Sequence, residues 1–207
     1  MASTDDYCQR AVETLSPLLR QEGFRYLKRV DEYTINSDYS LSLRRALTLQ
    51  WRLKQPLHCF ETGCWTKTGG PIASVDFRVS VRDAGRVAFA LPRSQQWTPS
   101  HAKFVVGVMP ALPKNGKMQI ALEWSWPNWW ETLRKTNEDT VAVTLPLATD
   151  RFEFVLKYHL SVGPLELLTN CPGVEENASA DDNKGRRWTY VKPTNTEYVF
   201  TCRRAGT

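Results

Sequence analysis

The chain of 207 residues is defined first by what it lacks. No apolar run approaches the ~20 residues that a membrane-spanning helix needs. No secretory leader opens it: Met1-Ala-Ser-Thr-Asp-Asp is acidic where a signal is basic, and no apolar segment follows. Both absences predict a soluble chain, cytoplasmic or released without a classical signal, that meets a membrane only from outside. The net charge is +5, yet basic residues gather only in pairs such as Arg44-Arg45, Arg186-Arg187 and Arg203-Arg204. Without a basic tract, no nucleic-acid partner is expected.

Catalytic signatures are missing too. There is no P-loop, no Gly-x-Ser-x-Gly elbow, no His-Glu-x-x-His and no dinucleotide fingerprint. The three histidines, His58, His101 and His159, lie far apart, and His159 sits in a strand pattern as an ordinary sheet residue. The expectation is a protein without enzymatic activity, cofactor or metal; only a site assembled from distant residues would make it an enzyme. The five cysteines are odd in number and irregular in spacing, which argues against a disulfide framework and for a reducing compartment. Cys59-x4-Cys64 is too wide for a zinc knuckle and has no second pair.

What remains is an ordinary globular composition, 42% hydrophobic and 24% charged, with eight Trp. Residues 1–23 read as a helix: Ser3 and Asp6 resemble a capping box, Val12, Leu15, Leu18 and Leu19 belong to one apolar face, and Gly23 is a stop. Pro17 predicts a kink. Period-two patterns follow. Leu41 and Leu43 alternate, and Leu47, Leu49 and Trp51 resume after an apparent slip at Arg44-Arg45 that suggests a bulge. Residues 55–71 read as loop. Val75 to Val81 and Val87 to Leu91 read as a hairpin about Asp83-Ala84-Gly85. Phe104 to Val108, the turn Pro113 to Gly116, and Met118 to Trp124 come next. Asn128 to Lys135 reads as a short helix, and Val141–Leu147 and Phe152–Leu160 as strands. Residues 169–187 read as a polar mobile loop, and Trp188–Val191 with Glu197–Cys202 as a closing hairpin. The sum is one mainly β domain over 1–207, an antiparallel sandwich with an N-terminal helix and a short helix after the Trp-rich strand.

The dense constellation is Glu123-Trp-Ser-Trp-Pro-Asn-Trp-Trp130. On a strand, Trp124 and Trp126 share one face and Ser125 takes the other. Trp129 and Trp130 are adjacent, so at least one is expected to be partly exposed or to cover the sheet edge. Indole rings suit a membrane–water boundary and bind quaternary ammonium through cation–π attraction. Carbohydrate stacking or a protein partner is the alternative, and a plain core role is the bland one.

With Phe104-Val-Val-Gly-Val-Met before it, the stretch Met118 to Trp130 resembles the centre of the actinoporins and actinoporin-like proteins. Ser125, Pro127, Asn128, Trp129 and Trp130 match positions of that motif over residues 104–130. The resemblance implies a β-sandwich flanked by helices that binds phosphocholine lipids, especially sphingomyelin, and forms pores by oligomerising on the membrane after its first helix detaches. Carried over, Ser125, Trp126, Pro127, Trp129 and Trp130 frame the headgroup site, with Phe152 and Tyr158 as weaker members. Val12, Leu15, Leu18 and Leu19 become the pore-helix face. Pro127 abuts Asn128 where the family carries a longer aromatic loop, which shifts the expectation from deep insertion toward surface recognition by a protein that is otherwise monomeric.

Overall fold

The computed structural model describes residues 10–11, 13–14, 23–65, 75–83, 85–92, 101–146 and 148–205. Ahead of Gly23, only Arg10, Ala11, Glu13 and Thr14 are described, and these four are helical. Val12, Leu15, Leu18 and Leu19, the expected pore-helix face, lie outside the described residues.

In chain order the strands are β1 Phe24–Ile35, β2 Leu41–Trp51, β3 Leu57–Trp65, β4 Asp76–Val81, β5 Val87–Pro92, β6 His101–Leu112, β7 Lys117–Trp126, β8 Glu138–Thr144, β9 Arg151–His159, β10 Leu165–Thr169, β11 Val174–Asn177, β12 Asn183–Val191 and β13 Glu197–Arg204. A short helix, Glu131–Thr136, separates β7 from β8. The strands form a seven-stranded sheet of order β11-β12-β9-β1-β2-β7-β4 and two three-stranded sheets, β10-β13-β8 and β3-β6-β5. β1 and β9 run parallel; the other named pairs are antiparallel. The mainly β class expected from the period-two patterning is what the chain adopts.

One face of the large sheet is apolar because alternate residues are: Leu41, Leu43, Leu47, Leu49 and Trp51 on β2, and Met118, Ile120, Leu122, Trp124 and Trp126 on β7, are all buried. Both small sheets pack against that face. Phe154 of β9 stacks on Phe200 of β13 with centroids 3.5 Å apart, and Phe77 of β4 stacks on Phe104 of β6 at 3.9 Å. Side chains from all three sheets join one core cluster. Each large apolar side chain so buried contributes roughly 1.5–3 kcal/mol.

Several local expectations are corrected. Residues 55–71 are not all loop, since Leu57–Trp65 pairs with β6 as β3. β4 and β5 are not a hairpin: β4 pairs with β7 and β5 with β6, so the chain changes layer between the two strands. β12 and β13 likewise belong to different sheets. Residues 169–187 carry β11 and the first half of β12, paired through Glu175↔Trp188 and Asn177↔Arg186. Their polar composition reads as loop because all four β11 residues are exposed at a sheet edge. No bulge occurs at Arg44-Arg45. Leu43, Arg45 and Leu47 keep one parity, and the register shift lies on β1 between Tyr26 and Lys28. The short helix starts at Glu131, not Asn128, with Trp130 as a cap that makes no side-chain cap hydrogen bond.

Candidate functional site

The four tryptophans of the Trp-rich stretch are core. Trp124, Trp126, Trp129 and Trp130 are 2%, 1%, 9% and 0% exposed. Trp124 and Trp126 follow the inner face of β7. Trp129 and Trp130 both turn inward because they lie in a turn, not side by side in a helix. Asn128 sits at φ 58°, a left-handed conformation that Asn tolerates, and this reverses the chain after Pro127. The Trp130 amide then donates to the Tyr39 carbonyl at 3.1 Å, and the Trp126 and Trp129 rings meet edge to face at 5.3 Å. The expectation of a partly exposed Trp is therefore corrected. Three indole N–H groups, of Trp124, Trp126 and Trp130, are buried without an acceptor. Each costs about 1–3 kcal/mol that the surrounding apolar burial offsets.

The other expected residues separate. Phe152 is fully buried and packs on Tyr190 and Tyr198. Tyr158, also buried, lines a cavity of about 430 Å³ with Leu165, Leu167 and Arg186. Pro127 is half-buried at the turn, and Ser125 is exposed on the opposite face of β7 from the tryptophans. Ser125 and Tyr158 line two different cavities.

Ser125 opens onto a groove of about 330 Å³ on the outer face of the large sheet. The register sets its chemistry in two rows across β1, β2, β7 and β4. One row is Thr34, Ser42, Ser125 and Asp76; the next is Glu32, Arg44, Glu123 and Arg78. Three hydroxyls thus lie beside four charges of alternating sign. Arg44 and Glu123 are 3.4 Å apart and both nearly half exposed, while Arg78 meets Asp76 at 2.8 Å, more exposed still. Such pairs hold one another weakly, at a few tenths of a kcal/mol, so their charges remain open to a ligand. Glu32 is tied to Lys157 of β9 at 2.6 Å.

On the inner face of these same strands lies a charged group that sequence reading missed. Asp31 is 0% exposed and receives Arg29 (Nη2 to Oδ2, 2.6 Å) and Arg45 (Nε to Oδ1, 2.9 Å). Burial alone would push the Asp31 carboxyl up, but the two guanidinium groups outweigh it and hold the carboxyl at about 2. Arg29 also donates to the Thr144 carbonyl at 3.0 Å, and the Arg45 guanidinium lies over the Trp124 ring, 5.3 Å from its centroid. The signal was available: Asp31 shares parity with Tyr33 and Ile35, and Arg45 with Leu43 and Leu47.

His159 caps the 3-10 turn Leu160–Val162, its Nδ1 accepting from the Ser161 amide at 3.1 Å. Among the described residues no group of three His, Cys, Asp or Glu is placed to hold a metal, and no helix is long and apolar enough to cross a membrane.

Comparison by sequence finds no matching family model and no matching curated protein. Comparison of folds finds likeness to parts of larger proteins. A candidate protease from Parabacteroides distasonis aligns at a TM-score of 0.57 and 13% identity, over 88% of this chain and 41% of that one. An M1 zinc metallopeptidase from Deinococcus radiodurans, crystallised with a Tyr-Ser-Ala substrate, aligns at 0.52 and 11% identity, over 87% and 43%. A candidate nutrient-binding protein from Legionella pneumophila aligns at 0.53 and 11% identity, over 90% and 68%. The chain spans about two fifths of the length of the first two. At such identities the likeness is one of fold.

Proposed function

We propose that this chain is a non-enzymatic binding module, a β-sandwich whose working surface is the outer-face groove around Ser125 and whose ligand is a small group carrying both charges. The observation that carries this reading is the row Glu32, Arg44, Glu123 and Arg78 beside the hydroxyls of Thr34, Ser42 and Ser125. An anionic group would accept from Arg44, Arg78 and the serines, and a cationic group would sit among Glu32, Glu123 and Asp76. The phosphocholine headgroup, free or on a lipid such as sphingomyelin, has this chemistry and is the first candidate. With the four tryptophans of the stretch in the core, the proposed contact is shallow and polar, without interfacial aromatic insertion.

A non-enzymatic role agrees with the sequence, whose three histidines are too far apart for the His-x-x-x-His pairing of zinc peptidases, although part of such an enzyme shares the fold. The test is titration with free phosphocholine, read by amide chemical shifts, together with flotation on vesicles with and without sphingomyelin. Shifts confined to β1, β2, β4 and β7 support the groove. Flotation only with headgroup-bearing vesicles identifies the lipid as the source. Folded protein with neither response sinks the proposal. The alternative is a protein-binding sandwich without membrane activity, favoured by a second feature of the structure.

A further inference from the structure

The layers part at one side of the molecule. Lys184 and Arg186 occupy β12 positions on the same face as the buried Trp188 and Tyr190, yet both are exposed. The cavity lined by Tyr158 begins there. It lies between β11, which ends the seven-stranded sheet, and β10, which ends a three-stranded one. Among the described residues neither strand has a partner on its outer edge.

The two edges differ. β11 has four residues, all exposed, and its two carboxylates, Glu175 and Glu176, discourage pairing with another strand. β10 carries a single carboxylate, Glu166, which faces away from the cavity. The strand is Leu165-Glu-Leu-Leu-Thr169, with Leu165 and Leu167 buried toward the cavity and Glu166 and Leu168 turned out. An edge of unpaired backbone donors and acceptors is matched by another extended backbone and by little else. The cations at the slot are also unequal. Arg186 is held by Glu175, whereas Lys184, directly across from Tyr158 in the β12–β9 register, has no ion-pair partner among the described residues.

We propose that this slot captures an extended peptide segment of a partner protein, which adds to the open edge of β10. The segment lays an apolar side chain on Tyr158, Leu165 and Leu167 and turns a carboxylate toward Lys184. Backbone pairing supplies the affinity, and the apolar and acidic side chains supply the selection. This site is separate from the groove around Ser125, and neither depends on the other.

The experiment selects random heptapeptides displayed on phage against the full chain. The winning peptides are then made synthetically and their binding is followed by fluorescence anisotropy. Expected are sequences combining apolar and acidic residues, and slowed amide exchange across Leu165–Thr169 on binding. Lys184→Glu should weaken binding about fivefold, restored when the peptide's acidic residue is replaced by lysine. Lys184 is exposed, so the variant should keep its fold, and the exposed turn variant Lys114→Ser serves as a control that leaves peptide binding unchanged. Failure to enrich any peptide overturns the inference. So does protection that falls elsewhere than β10, or binding indifferent to Lys184→Glu.

Discussion

Arg45 and Asp31 stand directly opposite each other on β2 and β1, and their side chains meet inside the protein, Nε to Oδ1 at 2.9 Å. With Arg29 they make an Arg–Asp–Arg group whose carboxylate is fully buried. Arg44, one residue before, points to the opposite face and into the polar groove. Adjacent arginines therefore serve the interior and the proposed binding surface of one sheet.

Asp31→Ala should destabilise the fold by about 3–5 kcal/mol, because it strands two cations in the interior. Replacing all three partners by apolar residues of similar volume should cost far less. Urea midpoints measure both, and a loss under about 1 kcal/mol for Asp31→Ala would show that the group is solvated in solution.

Acid should unfold the protein through the same residue. The Asp31 carboxyl titrates at about 2 in the fold against 3.8 ordinarily. A depressed value means a contribution present above pH ~4 and lost as pH falls from there toward 2, amounting to about 2 kcal/mol. Denaturation midpoints between pH 5 and pH 2.5 should fall along this window. Asp31→Asn should start lower and lose less over the same range.

Trp130→Ala should cost about 3–5 kcal/mol, the penalty of emptying a packed indole site. Since Trp130 is 0% exposed, ligand binding by the protein that remains folded should be unaffected. Binding lost at unchanged stability would return this residue to the ligand site.

Arg44→Gln with Arg78→Gln should change stability by no more than about 1 kcal/mol, since both ion pairs are solvent-screened and no like charges are brought together. The same change should abolish any phosphocholine response. A titration curve superimposable on that of the native chain would remove the groove from consideration.

Cys59, Cys171 and Cys202 are buried thiols, and burial first, then the charge of Asp139, pushes the Cys202 thiol up to about 12. At pH 8 none of the three should react with iodoacetamide in the folded protein, and all should in guanidinium. Peptide mass spectrometry reads the result. Rapid native labelling of Cys202 would contradict the packing of β13 on β8.

Strand content was legible because strand patterning is local: β7 could be traced from its apolar parity, and β9 and β13 from their runs of aromatic and β-branched residues. Partnership was not. β4 and β5, or β12 and β13, look like hairpins because short turn-rich segments join them, and nothing local says that the chain crosses between layers there. Composition also misled at Glu175 to Asn177, where an edge strand solvated on both faces resembles a loop.

By itself, then, the sequence determined the mainly β class, the inner face of β7 and the division of Ser125 from its flanking tryptophans, since all follow from side-chain alternation. The tertiary structure decided the rest. A left-handed Asn128 turned both Trp129 and Trp130 inward, cross-strand register aligned Glu32, Arg44, Glu123 and Arg78 into one row, and packing of two small sheets on a larger one left β10 with an edge that no described residue pairs. Such features arise from contacts between residues far apart in the chain, and no periodicity records them.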